Sequence, residues 1–154
     1  MIYEPEEDSF LLAKYASKFA KGKVLDLGTG SGIQAETALK FTKNVLAVDI
    51  NKEAVNSVKK KGIKARVSDL FSNVKGKFDL IILNPPYLPD ENLEGFFSQV
   101  NNHLSKNGKI LIVFSSLTNK NKINKIIKKN NFKFELLESK KLFFETLYCY
   151  LVFR

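Results

Sequence analysis

Four short, almost uninterrupted apolar runs constrain this chain more than any other feature: Val24–Leu27, Val45–Val48, Phe78–Leu83 and Ile110–Phe114. Each is too short for a helix, and each lacks the alternation of a strand with one wet face. Runs of this kind are expected where a parallel sheet is covered on both faces. Helical patterns lie between them. Phe10, Leu11, Tyr15 and Phe19 recur at helical spacing behind Glu6, Glu7 and Asp8, and a second helix follows from about Ile33 to Phe41. Asn51 is placed to cap a third helix that carries Val55 and Val58 and stops at Gly62. Leu93, Phe96, Phe97, Val100 and Leu104 form a stripe expected to end at Gly108, and Ile123, Ile126 and Ile127 mark a lysine-rich helix. Residues 63–67 read as another strand, and the chain ends with two strands, about 132–138 and 146–153, with no helix between them. The expectation is one α/β domain over residues 1–154, a mostly parallel sheet with helices on both faces and an antiparallel closing pair. At 154 residues the chain is long enough to bury a core without staples.

Composition narrows the chemistry. The single cysteine, Cys149, excludes an internal disulfide, and with His103 as the sole histidine the usual zinc ligand sets are absent. No metal site and no Ser-His-Asp triad are expected. No apolar run approaches a membrane span, and the acidic start lacks the order of a signal peptide, so a cytoplasmic protein with no membrane partner is expected. The formal charge is +9, carried almost entirely by lysine, with Arg66 and Arg154 the two arginines. Such an excess can attract nucleic acid. Lysine is the poorer bidentate reader of phosphate or bases, and residues 117–134, with six lysines and no acid, also read simply as a solvated helix face.

The residues that bear chemistry fall at strand ends. Gly28, Gly30 and Gly32 follow the first strand, where glycine allows a sharp turn and close approach to a ligand. Ile33 stands where a dinucleotide fingerprint wants glycine, and no lysine suits a phosphate cradle, so a nucleoside without phosphate is favoured. Asp49 ends the second strand and suits ribose hydroxyls. Asp69 ends the third and suits an exocyclic amine, with Leu70 and Phe71 to cover a purine. Asp26 lies near the place for an amino acid's ammonium. Asn84-Pro85-Pro86-Tyr87 ends the fourth strand. Two prolines remove donors and fix φ, leaving the Asn84 side-chain oxygen and the Pro85 carbonyl as acceptors for a planar NH2 group, with Tyr87 available to stack on it.

These motifs resemble class I S-adenosylmethionine-dependent methyltransferases. Asn84-Pro85-Pro86-Tyr87 resembles the signature of enzymes that methylate amide or amino nitrogens. The stretch Tyr3–Leu12 is similar to the opening of the archaeal and eukaryotic branch of the HemK family, which methylates the glutamine of the Gly-Gly-Gln loop in class 1 peptide release factors. The resemblance implies a Rossmann-like seven-stranded sheet of order 3-2-1-4-5-7-6 with strand seven antiparallel. It implies cofactor contacts at Ser9, Asp26, Gly28, Gly30, Asp49, Asp69, Leu70 and Asn84, and a target-nitrogen site at Asn84, Pro85 and Tyr87. S-adenosyl-L-methionine is the implied cofactor and S-adenosyl-L-homocysteine its product. The chain departs from the family pattern in starting at the first motif, without the helical domain of bacterial relatives, and in its short segment after Tyr87. A small zinc-ribbon activator at the edge of the third strand, near Lys64–Ser68, is the implied helper. An amino-N-methyltransferase acting on tRNA, rRNA or DNA is the alternative, and a non-enzymatic binding subunit with the same fold is a second.

Overall fold

A computed structural model describes residues 6–84 and 90–154. The sheet has seven strands: β1 (Lys23–Leu27), β2 (Asn44–Asp49), β3 (Ala65–Val67), β4 (Phe78–Leu83), β5 (Leu104–Ser115), β6 (Lys133–Lys141) and β7 (Thr146–Phe153). Their order is β3-β2-β1-β4-β5-β7-β6, with β7 antiparallel to both neighbours and the other pairs parallel, as expected. Helix α1 (Glu7–Phe19) precedes β1, and α2 (Ile33–Leu39), α3 (Lys52–Lys60), α4 (Asp90–Gln99) and α5 (Lys120–Lys129) lie between strands in sequence. The core divides in two across the sheet. Val24, Val45, Ala47 and Ile82 pack with residues of α1, α2 and α3, while Leu25, Leu46, Val48 and Ile81 pack with those of α4 and α5. Covering both faces is why these strands carry no polar alternation.

Local signals decide where the elements stop. Asn51 Oδ1 accepts from the backbone N–H of Glu53 at 2.8 Å and starts α3, and Gly62, at φ +82°, ends it. On α1 the buried stripe is Leu11, Leu12, Tyr15 and Ala16, whereas Phe10 points outward. The α4 stripe ends sooner than its apolar spacing predicts. A 3-10 turn over Val100–His103 leads into β5, which already begins at Leu104, paired with Phe78. Gly108 is therefore inside a strand and closes no helix. It is needed there because a Cβ would stand 2.9 Å from the Phe78 carbonyl and 2.6 Å from Leu104. The closing hairpin is also longer than expected, with β6 reaching Lys141 opposite Thr146. On α5 only Ile123, Ile126 and Ile127 are buried; Lys122, Lys125, Lys128 and Lys129 are exposed, and Lys120 is half-buried over the Tyr148 ring.

Candidate active site

The turn after β1 is built from left-handed backbone, with Gly28 at φ +77°, Gly30 at +53° and Gly32 at +91°. Its start is tied to β2, because the N–H groups of Gly28 and Thr29 both donate to the Val48 carbonyl at 2.9 Å. At Gly32 a side chain would also crowd Val58 of α3 at 3.1 Å. Two acids hold this loop from different sides. Asp49 accepts from Gly30 N with one carboxylate oxygen and from Asn51 N with the other, each at 2.9 Å. Asp26 accepts from the Thr29 hydroxyl at 2.7 Å and from Ala35 N at 3.1 Å. Burial pushes the Asp26 carboxyl up to about 7, against the opposing effect of those two hydrogen bonds.

The C-terminal ends of β1, β2, β3 and β4 surround a cavity of about 350 Å³, within the size range of small-molecule sites, roughly 300–1,000 Å³. Ser9, Gly28, Gly30, Asp49, Asp69, Leu70 and Asn84 all line it. Asp26 does not. It is 1% exposed, and its carboxylate is bonded to the Thr29 hydroxyl of the turn and to Ala35 N of α2. Leu70 sits at φ +50°, an uncommon conformation for a branched residue. The turn is held by Ser68, whose hydroxyl donates to the Leu70 carbonyl at 2.7 Å and accepts from Asn73 N at 2.9 Å.

The cavity walls also include Ile33, Gln34, Ile50, Ser68 and Asn92, which sequence reasoning missed. Ile50 had a signal, as an apolar residue directly after the strand-end acid, and it is 69% exposed. Gln34 had only its polarity on a helix that packs against the sheet. Its Nε2 donates to the Ser9 carbonyl at 2.9 Å, while its buried Oε1 has no donor among the described residues. Ser9 in turn accepts from Asn84 Nδ2 at 3.3 Å. This ties the Asn84 side chain to α1. Pro85 and Tyr87 lie outside the described residues.

The lining chemistry fits a phosphate-free nucleoside joined to an amino acid. No lysine or arginine lines the cavity among the described residues, so a phosphate would meet no counter-charge there. Asp49 and Asp69 supply acceptors for hydroxyls and an amine, and Leu27, Ile50, Leu70 and Leu83 supply apolar walls. The other reactive side chains are occupied elsewhere. His103 stacks on Phe71 at 4.7 Å and bonds the Gly76 carbonyl at 3.0 Å, and burial pushes the Cys149 thiol up to about 12.

Fold and site together define an S-adenosylmethionine-dependent methyltransferase of class I. The chain belongs to the methyltransferase small domain family, whose model matches residues 6–144. A Methanocaldococcus jannaschii relative with the provisional name protein N5-glutamine methyltransferase is 38% identical, over 95% of this chain and 88% of its own length. The ribosomal RNA small subunit methyltransferase C of Haemophilus influenzae is 37% identical over 62% of this chain, which spans 33% of that protein. Among solved structures, a chain of the E. cuniculi Mtq2–Trm112 complex, responsible for methylation of the eRF1 translation termination factor, superposes with a TM-score of 0.84. It does so at 23% identity, over 99% of this chain and 98% of its own, a likeness of fold.

Proposed function

We propose that this methyltransferase acts on the side-chain amide nitrogen of a glutamine in a protein, the Gly-Gly-Gln loop of a class 1 peptide release factor. The observation that carries the reading is the place of Asn84. It lines both the cofactor cavity and an outer groove, and its side chain is hydrogen-bonded to the Ser9 hydroxyl. The prolines and tyrosine that follow it in sequence suit a planar amide target, and the M. jannaschii relative matches this chain over nearly its whole length.

When bound, S-adenosylmethionine supplies an activated methyl group, so the protein's task is to bind, orient and exclude water. Asp49 holds the ribose hydroxyls and Asp69 the purine amine. Asn84 Oδ1 accepts an N–H of the target amide and supports the positive charge that develops on nitrogen. The nitrogen gains a methyl and releases a proton to solvent. Orientation of this kind contributes several kcal/mol, up to roughly 7–11 in ideal cases. The same reading places the enzyme in the cytoplasm and gives it a small zinc-ribbon activator at the exposed edge of β3, where Val67 is 42% exposed.

Single-turnover transfer to the release-factor glutamine tests the reading, with thermal melting as the control for folding. Asn84→Ala is expected to lose transfer by a hundredfold or more, on the order of what removing one transition-state hydrogen-bond partner costs, while S-adenosylhomocysteine affinity falls far less. Asn84→Asp keeps an acceptor and retains part of the rate. A folded Asn84→Ala protein that methylates glutamine at the wild-type rate would refute the role. Efficient methylation of an adenine or guanine amino group, with release factor left untouched, would establish the nucleic-acid alternative.

A further inference from the structure

The outer groove beside Asn84 has a volume of about 470 Å³ and a chemistry opposite to that of the chain as a whole. The protein has 25 basic and 16 acidic residues, yet the groove is lined by Glu6, Glu7, Asp8 and Glu145 and, among the described residues, by no lysine or arginine. Three of these acids belong to the start of α1, where the helix dipole favours them for structural reasons. Glu145 does not. It comes from the β6–β7 turn, where it accepts from the Ser115 hydroxyl at 3.1 Å. Glu7 is paired with Lys140, whereas the Glu6 side chain caps nothing and faces solvent. The floor is apolar, formed by Val113 and Phe114 of β5 and Leu147 of β7. Phe10 and Leu117, 53% and 73% exposed, stand at the rim. The turn that contributes Leu142 and Glu145 also carries Phe143 and Phe144, 91% and 84% exposed. A monomer gains nothing from exposing two adjacent phenylalanines beside a groove.

We propose that this groove is the docking site for an extended, positively charged polypeptide segment, which presents its methyl-accepting side chain to Asn84. The inference rests on the reading of a protein substrate and adds what flanks the target. Apolar side chains of the segment would sit on the floor and against the exposed phenylalanines, and lysines or arginines would face the carboxylates. Continuity supports this occupant, because Asn84 lines both the groove and the cofactor cavity. Charge supports it too. Carboxylates from α1 and from the β6–β7 turn would repel the phosphates of a nucleic acid, whatever the net charge of the chain.

The test is binding, measured by fluorescence anisotropy with S-adenosylhomocysteine present. The probes are labelled Lys-Lys-Gly-Gly-Gln-Gly-Gly-Lys-Lys and its counterpart with glutamate in place of lysine. The cationic peptide is expected to bind roughly tenfold more tightly at low salt, the sum of several few-fold charge contacts, and to lose that advantage as salt rises. The double variant Glu6→Gln, Glu145→Gln keeps the hydrogen-bonding shapes and is expected to cut the preference to less than about threefold, with its melting temperature checked alongside. Equal affinity for the two peptides, no binding of either, or a preference untouched in the double variant would overturn the proposal. Hydrogen exchange supplies the other arm. The cationic peptide should protect residues 6–12 and 113–118. Protection of those residues by a short adenine-bearing RNA, and not by the peptide, would make the groove a nucleic-acid surface and sink the idea. These outcomes are independent of the transfer assay, so glutamine methylation can hold while the groove assignment fails.

Discussion

Three acids at successive strand ends look alike in sequence, and burial sets them apart. Asp69 is exposed at the cavity mouth, Asp49 is half-buried with both oxygens on backbone N–H groups, and Asp26 is sealed beneath the glycine turn. For Asp26 the consequence is a pH dependence. Its folded-state value of about 7 lies above the ordinary 3.8, so the folded protein holds a proton there that the unfolded chain has lost. Its contribution is full below about 4 and is lost as pH rises through about 7, with ionised carboxylate left in a dry site. Asp26→Asn keeps an acceptor oxygen and cannot ionise. Measured by melting between pH 4 and 8, the stability of Asp26→Asn relative to wild type should rise with pH across that window. A pH-independent difference would show that the carboxyl is not shifted.

At the scale of elements, α1 joins the two halves of the site. Through Ser9 it receives Gln34 of α2 at its backbone carbonyl and Asn84, just after β4, at its hydroxyl. Its far side is fastened to the sheet edge, where Glu138 of β6 accepts from Tyr15 at 2.8 Å and from Lys14 at 2.7 Å. Those hydrogen bonds hold the Glu138 carboxyl below its usual range and raise Lys14 and Tyr15 above theirs. β5 offers a separate test of which features serve stability alone. Gly108 lies toward its N-terminal end, away from the ligand cavity, and a methyl group there meets the Phe78 carbonyl. Gly108→Ala should destabilise by about 1–3 kcal/mol, the range for overpacking, and lower Tm by several degrees. The folded fraction should bind S-adenosylhomocysteine as wild type does when titrated calorimetrically. A large loss of affinity would mean that β5 transmits strain to the site.

For the whole molecule, the two edges of the sheet differ. β6 is long and fastened to α1, while β3 is three residues long and, among the described residues, paired only with β2. A free edge invites either protection or a partner. Lys64 and Arg66 are placed to discourage indiscriminate pairing, yet Val67 leaves an apolar residue 42% exposed on the same edge. The proposed zinc-ribbon activator is expected to raise transfer to release factor severalfold when added to the isolated chain, and Val67→Asp should remove that gain. S-adenosylhomocysteine affinity of the variant should remain that of wild type. Full turnover without the partner, and no stimulation when it is added, would count against the helper.

Local physics was enough for much of this architecture. Apolar runs without alternation announced a sheet covered on both faces, and the strand-end acids with the glycine turn announced a nucleoside cavity, because strand period, capping and φ preference are properties of neighbouring residues. The seven-strand order itself came from resemblance to a family rather than from pattern. What pattern could not reach were quantities set between distant segments. That Asp26 is buried while Asp49 faces the cavity follows from how α2 seats on β1. That Gly108 belongs to a strand follows from the Phe78–Leu104 pairing. That Phe10 lines the groove rather than the core follows from the packing of α1 on β5 and β7. The acidic groove was hidden for the same reason: Glu6 and Glu145 are 139 positions apart in the chain, and only the hairpin of β6 and β7 folding back beside α1 brings their charges to one surface.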